Sequence, residues 1–235
     1  MRHSFSIFAV LIGVFAAAPL HAAPSEEVSE EPSQAPPNIV LIISDDHGFP
    51  DYGFMGHPDI QTPHLDRLAS ESHVYTRGYV STPLCCPSLT TMQTGLYAYQ
   101  HGYTGNDPAE GGDRQPWLDR YKTTPQLPLM LQEKGYLSLH TGKFWQKDPA
   151  IAGFTHTMGA TGRHGSSESL GIGRNGMQPV YDFIDEAQDK QKPFLVWYAP
   201  FLPHTPHNPP ERLLSKYQHL GHSAKYYAMV EWLDE

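Results

Sequence analysis

Two uninterrupted apolar, β-branched runs stand out along the chain: PNIVLIISDD (37–46) and KPFLVWYAP (192–200). A run that is polar on neither face suits a strand covered on both sides, and each stops abruptly in polar residues. Shorter runs, VYTRGYV (74–80) and LSLHTGK (137–143), predict two further strands. Between them the period changes to that of a helix. In TPHLDRLASES, Thr62 suits an N-cap and Pro63 the first helical position, with Leu65, Leu68 and Ala69 as one apolar stripe. Pro87 and Ser88 open a brief helix that Gly95 ends, and TTPQLPLMLQEKGY is a helix closed by Gly135. MQPVYDFIDEAQ puts Val180, Phe183, Ile184 and Ala187 on one face.

Strands alternating with helices predict the α/β class: a mixed, mainly parallel central sheet flanked by helices. Ligands of open α/β sheets bind beyond the carboxyl ends of the strands. Asp45 and Asp46, Lys143 and His204 all follow predicted strands. The stretch 146–176, rich in Gly, Ser and His, reads as an active-site loop or irregular insertion.

The first 36 residues follow other rules. Residues 1–23 run from a basic start through the apolar stretch Phe5–Leu20 to small residues at Ala22 and Ala23. That order predicts a secretory signal peptide cleaved near Ala22 or Ala23. The stretch is shorter than the ~20 residues a membrane-spanning helix needs, and no later run would span a membrane. Residues 24–36 are acidic and rich in Pro and Ser, and read as a disordered spacer before one domain, 37–235.

Charge narrows the partners. The net charge is −9, and −10 once the signal segment with Arg2 is removed. An acidic chain is a poor ligand for the phosphates of nucleic acids. An anionic substrate needs a local cationic pocket instead.

The chain's two cysteines are neighbours, Cys85 and Cys86. A disulfide prefers Cα atoms ~5.5 Å apart, whereas neighbours lie ~3.8 Å apart, so no structural disulfide is expected. Cys85 at a helix start can be a reactive thiol near an anion site or a small buried hydrophobe. Asp45-Asp46 can share a hard cation, calcium or magnesium, or be a helix cap beside an exposed acid. His204, held in PFLPHTPHNPP, can be a general acid, a ligand or a surface histidine. Lys143 in HTGKFW can bind an anion or be a solvated charge.

Taken together, NIVLIISDDHG, TPHLDRLASES, YTRGYVSTPLCCPSLTTMQTGLYAYQHG, HTGK and APFLPHTPHNPP resemble the sulfatase family of the alkaline-phosphatase-like superfamily. The resemblance runs from Pro37 to the last residue and is most specific in PLCCPSLTTMQTG (83–95). It implies that Cys85 is converted to formylglycine by a maturation enzyme and hydrolyses sulfate esters of small molecules or carbohydrates. It also implies a cation, calcium before magnesium, held by Asp45, Asp46 and the converted Cys85. Lys143 matches the family's sulfate-binding lysine, and His204 the histidine near the leaving oxygen.

Three departures accompany it. Leu89 stands where the family signature has arginine. Trp145 stands where the family has a histidine two residues after the lysine, with Gln146 next to it. The family's later metal ligands and second lysine have no counterpart before Glu235, so the expectation is an N-terminal part of a sulfatase domain. A phosphoester hydrolase of the same superfamily and a catalytically inactive remnant are the alternative readings.

Overall fold

The computed structural model describes residues 35–159 and 164–235. The expected signal segment, and all of the expected spacer but its last two residues, lie outside the described residues. Ala35–Glu235 forms one compact unit.

Among the described residues four parallel strands make the sheet: β1 (Ile39–Ile42), β2 (Leu137–Gly142), β3 (His156–Thr157) and β4 (Phe194–Ala199), in the order β1-β4-β2-β3. Nine α-helical segments occur among the described residues. They are α1 (Pro63–Ser70), α2 (Cys85–Thr94), α3 (Ala98–His101), α4 (Gln115–Tyr121), α5 (Leu127–Gln132), α6 (Ser167–Leu170), α7 (Gln178–Asp189), α8 (Glu211–Tyr217) and α9 (Ala224–Asp234).

β4 is the strand covered on both sides, and all six of its residues are buried. Leu195, Trp197 and Ala199 pack with Cys86 and Leu89 of α2 and with Tyr103, Tyr121 and Phe144. The alternate residues Phe194, Val196 and Tyr198 pack on Val180, Phe183 and Ala187 of α7. Two buried faces explain why the run carries no polar position. Truncating a residue such as Leu195, wholly inaccessible here, typically costs about 2–5 kcal/mol.

β1 has the same composition but a different place. Among the described residues it is an edge strand, paired with β4 alone, and its residues alternate between partly buried and exposed. Ile39 and Leu41 pack inward, while Val40 and Ile42 are about half exposed (55% and 49%). α7 packs over β2 and β4, so the same face of β1 stays open.

Other local expectations change similarly. Residues 74–80 form no strand, and Tyr75 and Tyr79 project into solvent. Their β propensity finds no edge to pair with, and strand preference is largely a preference for packed, paired surroundings. α2 begins at Cys85, two residues before Pro87, and closes where Gly95, at φ 69°, donates its N–H to Thr91. α5 is shorter than the apolar pattern around it. The Leu65, Leu68 and Ala69 stripe of α1 is shallow, with Leu68 exposed.

Thr62 flanks α1 without capping it. Its hydroxyl accepts the Gly53 N–H and donates to Asp66. The first-turn N–H groups of His64 and Leu65 donate to the Asp234 carboxylate of α9, at 3.0 and 2.7 Å. A distant acid thus does the capping that the local sequence assigns to a threonine.

Candidate active site

The carboxyl ends of β1, β2 and β4 and the first turn of α2 meet at one cavity of about 320 Å³. Asp45 follows β1 and is tied across to the loop after β4 by its N–H to the Leu202 carbonyl (2.8 Å). Asp46 adopts a left-handed backbone, φ 56°, and turns outward. Lys143 follows Gly142, where β2 passes against β4. A Cβ on Gly142 would lie 1.5 Å from the Ala199 carbonyl oxygen, and its φ is +80°. Only glycine fits there, and that close passage brings Lys143 into the site.

Lys143 is almost wholly buried, yet it is held by charge. Its Nζ lies 2.7 Å from Asp45 Oδ2 and 3.5 Å from Cys85 Sγ, and 4.8 Å above the Phe201 ring. Cys85 Sγ in turn donates to Asp45 Oδ1 at 3.7 Å. The Lys143–Asp45 contact is a close ion pair, and a carboxylate oxygen has a second lone pair beyond the one facing the ammonium. His204 Nε2 lies 3.4 Å from Asp46 Oδ2. Its Nδ1–H donates to the Thr205 carbonyl (2.6 Å), which leaves Nε2 facing the acid.

Burial sets the proton affinities. Desolvation raises the Asp45 carboxyl above its ordinary value, against the pull of Lys143. Desolvation likewise pushes the Cys85 thiol up, with Lys143 opposing and the two aspartates assisting. Cys86 is fully buried and pushed up to about 12, mainly by desolvation, which makes it the inert member of the pair.

Asp45, Asp46 and Cys85 each offer a ligand atom, all within 4.8 Å of one another. Two carboxylates with spare oxygen lone pairs suit a hard cation such as calcium or magnesium. The donor set therefore fits the group that the sequence pattern implies.

The five sequence-predicted residues come together, although His204 stands beside the cavity through Asp46 and does not line it. Leu89 is buried in the core below Cys85, while Met92, which shares the cavity lining, is exposed. Trp145 is buried. Gln146 donates to the Thr90 hydroxyl (2.8 Å), so it braces α2 from within the core.

Other supporting residues left no signal in the periodicity. Asn106 accepts the Cys86 N–H at 2.9 Å, and Arg114 donates to the Asn106 carbonyl at 2.8 Å. His140 donates Nε2–H to the Lys143 carbonyl (3.2 Å), while its Nδ1 is buried without a partner. Arg174 holds the loop that carries His204. A cation among the glycines of GIGRNG is the one local hint of it.

Acids and a buried cation, gathered at the carboxyl ends of parallel strands beside the Cys85 thiol of α2, define an α/β protein with a charged cavity at the sheet's carboxyl edge. Residues 37–235 match the family model described as Sulfatase, and the chain belongs to that family. It is 30% identical over 220 aligned residues to N-acetylgalactosamine-6-sulfatase of Canis lupus familiaris, covering 73% of this chain and 40% of the relative. It is 29% identical over 182 residues to N-acetylglucosamine-6-O-sulfatase of Bacteroides thetaiotaomicron, covering 72% and 31%. The solved structure of PsFucS1 sulfatase from Pseudoalteromonas sp. superposes with a TM-score of 0.65 at 21% identity, over 84% of this chain and 50% of that one. The chain thus spans well under half the length of the two curated relatives.

Proposed function

We propose that this site hydrolyses sulfate esters through a nucleophile made from Cys85. The observation that carries the reading is the placement of Cys85 Sγ between Asp45 and the buried Lys143, at the first turn of α2. Conversion of Cys85 to formylglycine by a maturation enzyme replaces the thiol with an aldehyde, whose hydrate carries two hydroxyls. One hydroxyl oxygen attacks sulfur as the bond from sulfur to the alcohol oxygen breaks, which is covalent catalysis. His204 supplies a proton to the departing alcohol, and Lys143 faces the negative sulfate oxygens. Loss of a proton from the second hydroxyl then re-forms the carbonyl and expels sulfate.

A divalent cation, calcium in preference to magnesium, offsets negative charge at the nucleophile and the sulfate when bound. Asp45, Asp46 and the converted Cys85 would hold it. Two relatives are named for 6-sulfated N-acetylhexosamines, which favours a sulfated carbohydrate as substrate. Export fits the apolar opening segment 1–23. Among the described residues no helix is long and apolar enough to cross a membrane.

The test is mass spectrometry of the Cys85 peptide from protein exported by its own host, followed by assay of sulfate release. A thiol-to-aldehyde mass change, with turnover lost in Cys85→Ala, is the expected result. An unmodified thiol with no sulfate released from either an aryl sulfate or an N-acetylhexosamine 6-sulfate overturns the reading and leaves the catalytically inactive alternative.

A further inference from the structure

We infer that Arg174 is the positioning residue for His204, setting the ring at the leaving-group side of the site. The inference rests on the sulfatase reading only for what His204 does.

Every N–H of the Arg174 guanidinium is used, and every one goes to the segment 201–208. Nε and Nη2 donate to the Phe201 carbonyl at 3.1 and 2.6 Å. Nη2 also donates to the His204 carbonyl at 2.9 Å. Nη1 donates to Asn208 Oδ1 at 2.6 Å and to the Pro206 carbonyl at 3.3 Å. The guanidinium carbon lies over the rings of Phe201 and Trp232, at 5.5 and 5.9 Å.

The segment needs such a partner. It carries prolines at 203 and 206 and is flanked by others at 200, 209 and 210, none of which can donate a backbone hydrogen bond. One backbone tie, from the Asp45 N–H to the Leu202 carbonyl, fixes its start. Carbonyls 201, 204 and 206 instead converge on one side chain. The planar five-donor fork of arginine matches three divergent acceptors, and the point charge of lysine cannot.

The consequence reaches the chemistry through Phe201. Its ring stacks on His204 at 4.2 Å and lies under Lys143 Nζ at 4.8 Å. By fixing the Phe201 and His204 carbonyls, Arg174 fixes the distance between the proton donor and the buried cation.

The experiment compares the exported protein with its Arg174→Lys and His204→Ala variants. The first readout needs no turnover: the rate at which diethyl pyrocarbonate modifies His204, followed by peptide mass spectrometry with His64 as internal reference. Release of the loop by Arg174→Lys raises that rate relative to His64, and an unchanged ratio overturns the inference. The second readout is leaving-group dependence. An aryl sulfate departs without a proton, whereas an alkyl or sugar sulfate needs one. Arg174→Lys is expected to lower kcat on the alkyl ester about a hundredfold, the scale of a 1 Å misplacement, with less than about a tenfold loss on the aryl ester. His204→Ala should show the same split. Equal losses on both esters mean general damage and also overturn the inference. If the wild-type protein cleaves neither ester, the sulfatase reading fails, and the labelling ratio alone decides the role of Arg174.

Discussion

The ammonium of Lys143 lies 2.7 Å from Asp45 Oδ2, and the two side chains are only 2% and 12% exposed. Each charge is tolerable there because of the other. Removing one partner of a buried pair usually costs more than the pair contributes, because the remaining charge stays desolvated. Lys143→Met should therefore destabilise the metal-free protein by about 3 kcal/mol. Calcium should restore part of that loss by taking over the compensation of Asp45. Thermal melts with and without calcium check this, and equal stability of the variant and the wild type would count against the ion pair.

The same carboxylates predict how metal acts on the whole molecule. A ligand that binds only the folded state stabilises by about 2.7 kcal/mol at a hundred times its Kd. Calcium titration should raise the melting temperature of the wild-type protein, with a smaller rise for magnesium, and a chelator should reverse it. Asp45→Asn should remove the response. An Asp45→Asn protein that gains as much as the wild type would place the cation elsewhere.

The two neighbouring cysteines should differ sharply in any fraction left as thiol. Cys85 is half-buried and its pKa is raised, so its alkylation by iodoacetamide should be slow at pH 7 and still climbing through pH 9. Cys86, buried and pushed up to about 12, should react only after unfolding. Peptide mapping of alkylated protein between pH 6 and 10 separates the two. A plateau for Cys85 below pH 8 would mean that its thiolate is stabilised rather than disfavoured.

His140 gives the stability a pH dependence of definite sign. Burial lowers its pKa from 6.5 to about 3, since the ring sits among Phe144, Phe154 and Trp197. Above pH 6.5 neither state binds the proton and the ring contributes no slope. Between 6.5 and 3 the unfolded chain binds a proton that the folded one refuses, so stability falls as pH falls. From pH 7 to 5 the loss attributable to this ring is about 2 kcal/mol. His140→Gln keeps a donor for the Lys143 carbonyl and cannot titrate. Its urea midpoint should fall less over the same interval than that of the wild type, and parallel curves would exclude the ring as the source.

How much of this the chain discloses depends on how local the cause is. β4 and α7 are legible because each buries whole faces against neighbours, so every second or every third to fourth residue carries the signal. β1 looks identical in sequence and lies at the edge, because an apolar run reports what could be buried and not what covers it. Asp45, Lys143 and His204 are findable because carboxyl ends of strands collect ligand groups, and Cys85 through its helix start and the family signature. Arg174, Asn106 and Asp234 act on backbone groups 20 to 170 residues away. Single long-range bonds of that kind leave no period, and composition does not weigh them.

The assembly of the site also sets an order of events in time. Cys85 belongs to α2, whereas the residues that close over its sulfur include Lys143 and the strand at 194–199 on which the lysine rests. Any enzyme that modifies this thiol meets an open substrate only until that later half arrives. At ribosomal speeds of about 5–20 residues per second, the roughly 110 residues that follow take on the order of 6–20 s. On the proposed reading, conversion of Cys85 would be a race against folding, and mutations that hasten closure of the β4 core would lower occupancy of the modified residue without touching either the thiol or its modifier.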